Sequence, residues 1–139
     1  MKAVLAIVVI ALSVALTGCE VFRDITSERY SRNNSKGAAW LSDQQFPAEA
    51  DVCGTWQSRD WGKCFLAQTG RNVRGYIGDY QAEGVVSGTK AYLVLSQGSW
   101  QYYSVVLERP APALLIGYYS RSIPYQSNNR NDLRMDLLP

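Results

Sequence analysis

A chain of 139 residues, 47% apolar and 12% aromatic, with 14 Lys+Arg against 12 Asp+Glu, has room for one modest domain and too little net charge to attract a polyanion such as nucleic acid. Histidine is absent. That removes the usual general base near neutral pH and the commonest ligand of zinc or copper, so most hydrolase and metalloenzyme schemes lose their first residue.

The chain opens with Lys2, an apolar run over 3–16 and then Leu16-Thr17-Gly18-Cys19. A single basic residue, a short apolar stretch and small residues before a cysteine have the form of a secretory signal. The run is shorter than the roughly 20 residues a membrane span needs, and no basic stop follows it at once. The four residues ending in Cys19 resemble the lipobox of bacterial lipoprotein precursors. The resemblance implies cleavage before Cys19, a thioether-linked diacylglycerol and an amide-linked acyl chain such as palmitate on that residue, and anchoring by lipid. Glu20 rather than aspartate follows the cysteine, which in enteric-type sorting implies the outer membrane, with the domain facing the periplasm.

Cutting off 1–18 leaves 121 residues and, without Lys2, 13 Lys+Arg against 12 Asp+Glu. Residues 19–50 lack any sustained period of 2 or 3.6 and read as the lipidated cysteine and a flexible tether. A flexible stretch of 31 residues would span roughly 30 Å. It still carries Phe22, Tyr30, Trp40, Leu41 and Phe46, which could dock on the domain or on a partner, and residues 38–45 could form a short helix.

From 51 to 139 the texture changes to short β-rich runs divided by glycine and polar turns. Strands are expected at 53–57, 63–69, 72–78, 84–89, 91–97, 99–108, 113–121 and 132–138. Turns fall at 58–62, Thr69-Gly70, Gly78-Asp79, Gly88-Thr89, Gln97-Gly98, 110–112 and 122–131. In the last run Leu133, Met135 and Leu137 share one face, and Asp132, Arg134 and Asp136 the other. The fold class is all-β: a small antiparallel meander barrel of about eight short strands, or a cracked barrel or sandwich.

With Cys19 taken by lipid, Cys53 and Cys64 remain as an even pair in an oxidising compartment, and a disulfide between them is expected; two buried free thiols are the alternative. Direct pairing would place Trp56 opposite Trp61 and leave Ser58-Arg59 as a two-residue turn. Ser-Arg is not a favoured hairpin turn, so the register is less secure than the bond.

Gly54-Thr55-Trp56 at the start of the first strand and Arg134 in the last resemble the signature of the calycin superfamily, which includes lipocalins, avidins and small bacterial metalloprotease inhibitors. The resemblance implies a closed barrel whose floor is sealed by Trp56 with the Arg134 guanidinium across the indole. Val73-Arg74-Gly75-Tyr76 and Gly84-Val85-Val86-Ser87-Gly88 are similar to avidin-like hairpins. The chain is short for a wide-cupped lipocalin, and no biotin-site pattern is evident.

No catalytic constellation passes a residue-type test. Asp132 with Asp136 and Asp79 with Glu83 are the nearest carboxylate pairs, but Asp132 and Asp136 would lie too far apart along a strand for a two-carboxylate site, and no Ser-Lys arrangement is recognisable. Asn128, Asn129, Asn131 and Asp132 lack the alternation of a calcium loop. The chain is therefore expected not to be an enzyme and to use no metal or cofactor. The surplus of aromatic residues remains, and Trp61, Tyr76, Tyr92, Trp100, Tyr102 and Tyr118 are the candidate binding residues. Three functions are open: a non-catalytic outer-membrane lipoprotein presenting its β-domain to an envelope protein partner, as pilotins and assembly lipoproteins do; a calycin-like binder of a small hydrophobic ligand or lipid; and a periplasmic protease or lysozyme inhibitor.

Overall fold

Four hairpins turn on the same short loop. Gly70, Gly78, Gly88 and Gly98 each open a two-residue turn at φ 58–60°, and among the described residues no non-glycine residue has positive φ. That combination fits the type II′ turn, whose twist matches the strands it joins. The computed structural model describes residues 35–139. The expected signal peptide, Cys19 and the first half of the expected tether lie outside the described residues.

Among the described residues the eight strands are β1 (Gly54–Ser58), β2 (Gly62–Thr69), β3 (Asn72–Ile77), β4 (Tyr80–Ser87), β5 (Lys90–Gln97), β6 (Trp100–Ala111), β7 (Leu114–Ser120) and β8 (Asn131–Leu137), preceded by a helix, α1 (Ser35–Ser42). Each strand pairs antiparallel with the next, and β8 returns to β1, where Trp56 faces Leu137 and Ser58 faces Met135. The expected antiparallel meander barrel is thus the fold, in its closed form. Closure leaves no open sheet edge.

The ladders assign one parity of each strand to the interior. Trp56, Cys64, Leu66, Val73, Ile77, Leu93, Leu95, Val105, Leu107, Leu115 and Met135 are all fully buried there. Bending strands around so narrow a barrel requires backbones to come close. A Cβ built on inward-facing Gly75 would lie 1.8 Å from the Phe65 carbonyl oxygen, and one on Gly84 1.8 Å from that of Tyr92. Only glycine fits at either point.

Two sequence expectations fail at the first hairpin. The register pairs Trp56 with Cys64 and Ser58 with Gly62, so the loop has three residues, Arg59, Asp60 and Trp61. Gly62, the first residue of β2, follows the loop at φ 82°, a left-handed conformation that glycine adopts at no steric cost. Cys64 therefore points into the core beside Trp56 as a buried free thiol, its Sγ donating to the Gly62 carbonyl at 3.5 Å. The expected Cys53–Cys64 disulfide is not formed. Cys53 precedes β1, and the observed register takes the two residues out of opposition.

The second half of the expected tether is strapped to the barrel. Phe46 N–H donates to Ser87 Oγ, Gly88 N–H to the Pro47 carbonyl and Glu49 N–H to the Gly88 carbonyl. The Gln68 amide donates to the Ala50 carbonyl and accepts from Val52 N–H, 2.9 Å each. Trp40 of α1 meets Tyr92 edge to face with centroids 5.8 Å apart. The helix exists, three residues earlier than expected.

Candidate functional site

Both ends of the barrel are plugged. At the floor, Trp56 is completely buried and its Nε1 donates to the Val52 carbonyl at 3.1 Å. A guanidinium does lie over this indole, but it belongs to Arg109, with Cζ 5.2 Å from the ring centroid. Arg109 Nε also donates to the Pro112 carbonyl at 3.0 Å, Nη1 donates to the Asp51 carbonyl at 2.5 Å, and Nη2 reaches Pro112 as well. Arg134, the residue expected on Trp56, faces outward and forms an ion pair with Asp136 at 3.2 Å. Strand alternation is the reason: Leu133 and Met135 take the interior, which sends Arg134 to solvent.

At the opposite end, the mouth, Trp61 drops from the three-residue loop into a ring of tyrosines. It meets Tyr80, Tyr103 and Tyr119 edge to face with centroids 5.1–5.5 Å apart. These contacts suit the ring quadrupoles and fill the space a cup would need. A hydrogen bond to Tyr103, with burial adding to it, pushes the Tyr80 phenol above its ordinary pKa. Between floor and mouth lie the aliphatic side chains of the core.

The six candidate aromatics do not converge. Trp61 plugs the mouth. Tyr92 lies beneath Trp40, and Tyr76 is exposed on the outer wall beside Phe65. Trp100 and Tyr102 are exposed at the mouth end of β6, with Tyr102 against Tyr80.

Tyr118 belongs to a groove on the outer wall of about 460 Å³, lined by Lys90, Val106, Glu108, Ile116, Tyr118, Tyr125, Arg130, Asp132 and Arg134. The ladders explain its floor. Lys90, Glu108, Ile116 and Arg134 form one outward row across β5–β8, and Tyr92, Val106, Tyr118 and Asp132 the next. The 121–130 loop forms the overhang. It is held by Ser104 Oγ donating to the Ser122 carbonyl at 2.6 Å and by Ser122 N–H donating to Ser120 Oγ at 3.1 Å. Arg130 lies over the Tyr118 ring, 4.0 Å from its centroid. Lys90 pairs with Glu108 at 3.6 Å, so the charges at the rim are partly compensated while Ile116 stays 39% exposed on the floor. From the sequence, Tyr118 stands out as a candidate binding residue and Tyr125 only as part of the aromatic surplus; the groove arises from a cross-strand row plus a loop that folds back, and neither has a local signature.

Glu83, one of the acidic residues considered for catalysis, faces Arg74 across the β3–β4 ladder at 3.7 Å. Burial pushes its carboxyl pKa up, and the Arg74 charge opposes this. Among the described residues no group of three or more His, Cys, Asp or Glu is placed to hold a metal ion. Comparison with protein families, curated proteins and solved structures yields no match.

Proposed function

We propose that this protein is a non-catalytic, lipid-anchored accessory protein of the bacterial outer membrane, which presents its barrel to a protein partner in the periplasm. The observation that carries this reading is the plugged barrel. With Trp56 and Arg109 at one end and Trp61 among three tyrosines at the other, binding capacity lies on the outer surface, and the β5–β8 groove offers an apolar floor within a charged rim. Such a patch, with Arg130 stacked on Tyr118 beside the exposed Ile116, suits a protein contact. The lipobox of Leu16-Thr17-Gly18-Cys19 supports the address. Metabolic labelling with palmitate and membrane fractionation test it: the wild type carries label and sediments with outer membrane, whereas Cys19→Ala carries none. Label on Cys19→Ala contradicts the anchor.

A calycin-like binder of a small hydrophobic ligand is the second reading, and its support is the size of the groove, which falls within the range of small-molecule sites. A ligand would then sit on the outer wall under Tyr125 and not in a cup. Uptake of a fluorescent fatty acid that is lost in Ile116→Asp would favour it over the accessory reading. The inhibitor reading has no observation of its own.

A further inference from the structure

The course of α1 says where the chain reaches the barrel. Near its start, Gly37 lies so close to Gln101 that a Cβ would meet the amide nitrogen at 2.5 Å; further on, Trp40 packs on Tyr92, and after the helix the Gln44 carbonyl accepts from Arg71. Gln101 belongs to the mouth end of β6, and Arg71 to the β2–β3 turn at the floor end. The helix therefore runs from mouth to floor, and its first residue, Ser35, stands at the mouth end.

The same end carries the most exposed aromatic pair of the barrel itself, Trp100 at 72% and Tyr102 at 41%. Trp100 closes the β5–β6 hairpin opposite Gln97, and Tyr102 is steadied by Tyr80 at 5.6 Å. Around them, the mouth loops and the starts of β2 and β8 contribute Arg59, Lys63, Arg121 and Arg130 against Asp60, Asp79 and Asp132, a basic excess of one.

We propose that the mouth end, through Trp100 and Tyr102, docks on the headgroup region of the bilayer that holds the Cys19 acyl chains. This rests on the lipid-anchor reading above. Fifteen residues separate Cys19 from α1, a reach of at most about 50 Å. The tether thus keeps the mouth close to the lipid surface, and a contact that would be weak for a free protein becomes effective by local concentration. Tryptophan and tyrosine suit this place because an apolar ring with a polar edge settles at the water–lipid boundary, and a basic surround favours anionic headgroups. Docking by the mouth turns the floor end toward the periplasm and leaves the β5–β8 groove open at the side.

The test uses the full-length chain, expressed through the envelope, purified with its acyl groups and reconstituted in phosphatidylethanolamine–phosphatidylglycerol vesicles with brominated acyl chains. Intact mass reports whether Cys19 is acylated, and tryptophan fluorescence reports docking. Expected is bromolipid quenching of the wild type that is mostly lost in Trp100→Leu and clearly weakened in Tyr102→Ser, which keeps Trp100 as the reporter. Acylated wild-type protein that is unquenched by bromolipid overturns the docking, whether Trp100 is open to acrylamide or shielded from it by a co-purifying protein. If the mass shows no acylation, the anchor reading falls separately. Quenching of that unacylated chain on added vesicles would still uphold the docking, and no quenching would remove it.

Discussion

Arg109, near the end of β6, and not Arg134 of β8, lies over Trp56, with the guanidinium carbon 5.2 Å from the indole centroid. The same guanidinium ties the Asp51 and Pro112 carbonyls together, so it joins the entry to β1, the β6–β7 turn and the buried tryptophan in one seal. Arg109→Ala is expected to cost about 2 kcal/mol through lost stacking and charged hydrogen bonds. Arg134→Ala, which loses an exposed pair with Asp136, should change stability by less than about 0.5 kcal/mol. Urea unfolding of both variants checks the order, and equal losses would contradict it.

Cys64 should resist alkylation in the folded protein and react once the chain is unfolded. Burial pushes its thiol above the ordinary value of 9.0, with the Gly78 backbone opposing this, so the native state suppresses the reactive thiolate. Because the folded pKa is raised, this group's contribution to stability is present below pH 9.0 and is lost as pH rises through the folded value. Peptide mapping after iodoacetamide treatment of native and denatured protein measures it. Cys64 recovered in a disulfide would contradict the structure.

Arg71 follows a turn glycine, where a substitution would ordinarily be harmless. Here its Nε donates to the Val86 carbonyl at 3.3 Å and its Nη2 to the Gln44 carbonyl, fastening the segment after α1 to the floor end. Arg71→Ala should cost about 1–2 kcal/mol and increase hydrogen exchange in residues 36–48. Unchanged exchange there would show that the strap is held by other contacts.

Glu83 gives a pH dependence with a definite sign. Its carboxyl is raised above the ordinary 4.5 by burial, with Arg74 opposing, so the folded state holds the proton more tightly than the unfolded chain does. Its contribution is fully present below pH 4.5 and is lost as pH rises through the folded value. Glu83→Gln, which cannot ionise, should lose less stability than the wild type over that rise. A stability difference between the two that stays constant from pH 4 to 7 would contradict it.

The strands were legible because their boundaries are local. A glycine at the first position of each two-residue turn, and strict alternation in β8, announce themselves within a few residues. β4 begins at Tyr80, earlier than its apolar residues suggest, because Gln81 and Glu83 sit on the outer face, where Glu83 has Arg74 as a partner. The first hairpin's register was not legible: one more loop residue, accommodated by Gly62, moves Cys64 from Cys53 to Trp56. Arg109 was hidden by Pro110, which makes its neighbourhood read as a turn, although β6 continues through an irregularity to Ala111. The outer groove depends on residues from four strands and a loop, a placement that exists only once the barrel closes.

Site-specific photocrosslinking in living cells tests the proposed role most directly. With the crosslinking residue at Ile116 on the groove floor, at Tyr125 on its overhang, and at Gln57 on the outer face of β1 as a control, the account predicts one envelope protein captured from both groove positions and not from Gln57. It also predicts that capture is lost when Cys19→Ala releases the chain from the membrane. Capture of the same protein equally from Gln57, or none from either groove position in the acylated protein, would contradict a groove that presents itself to a partner.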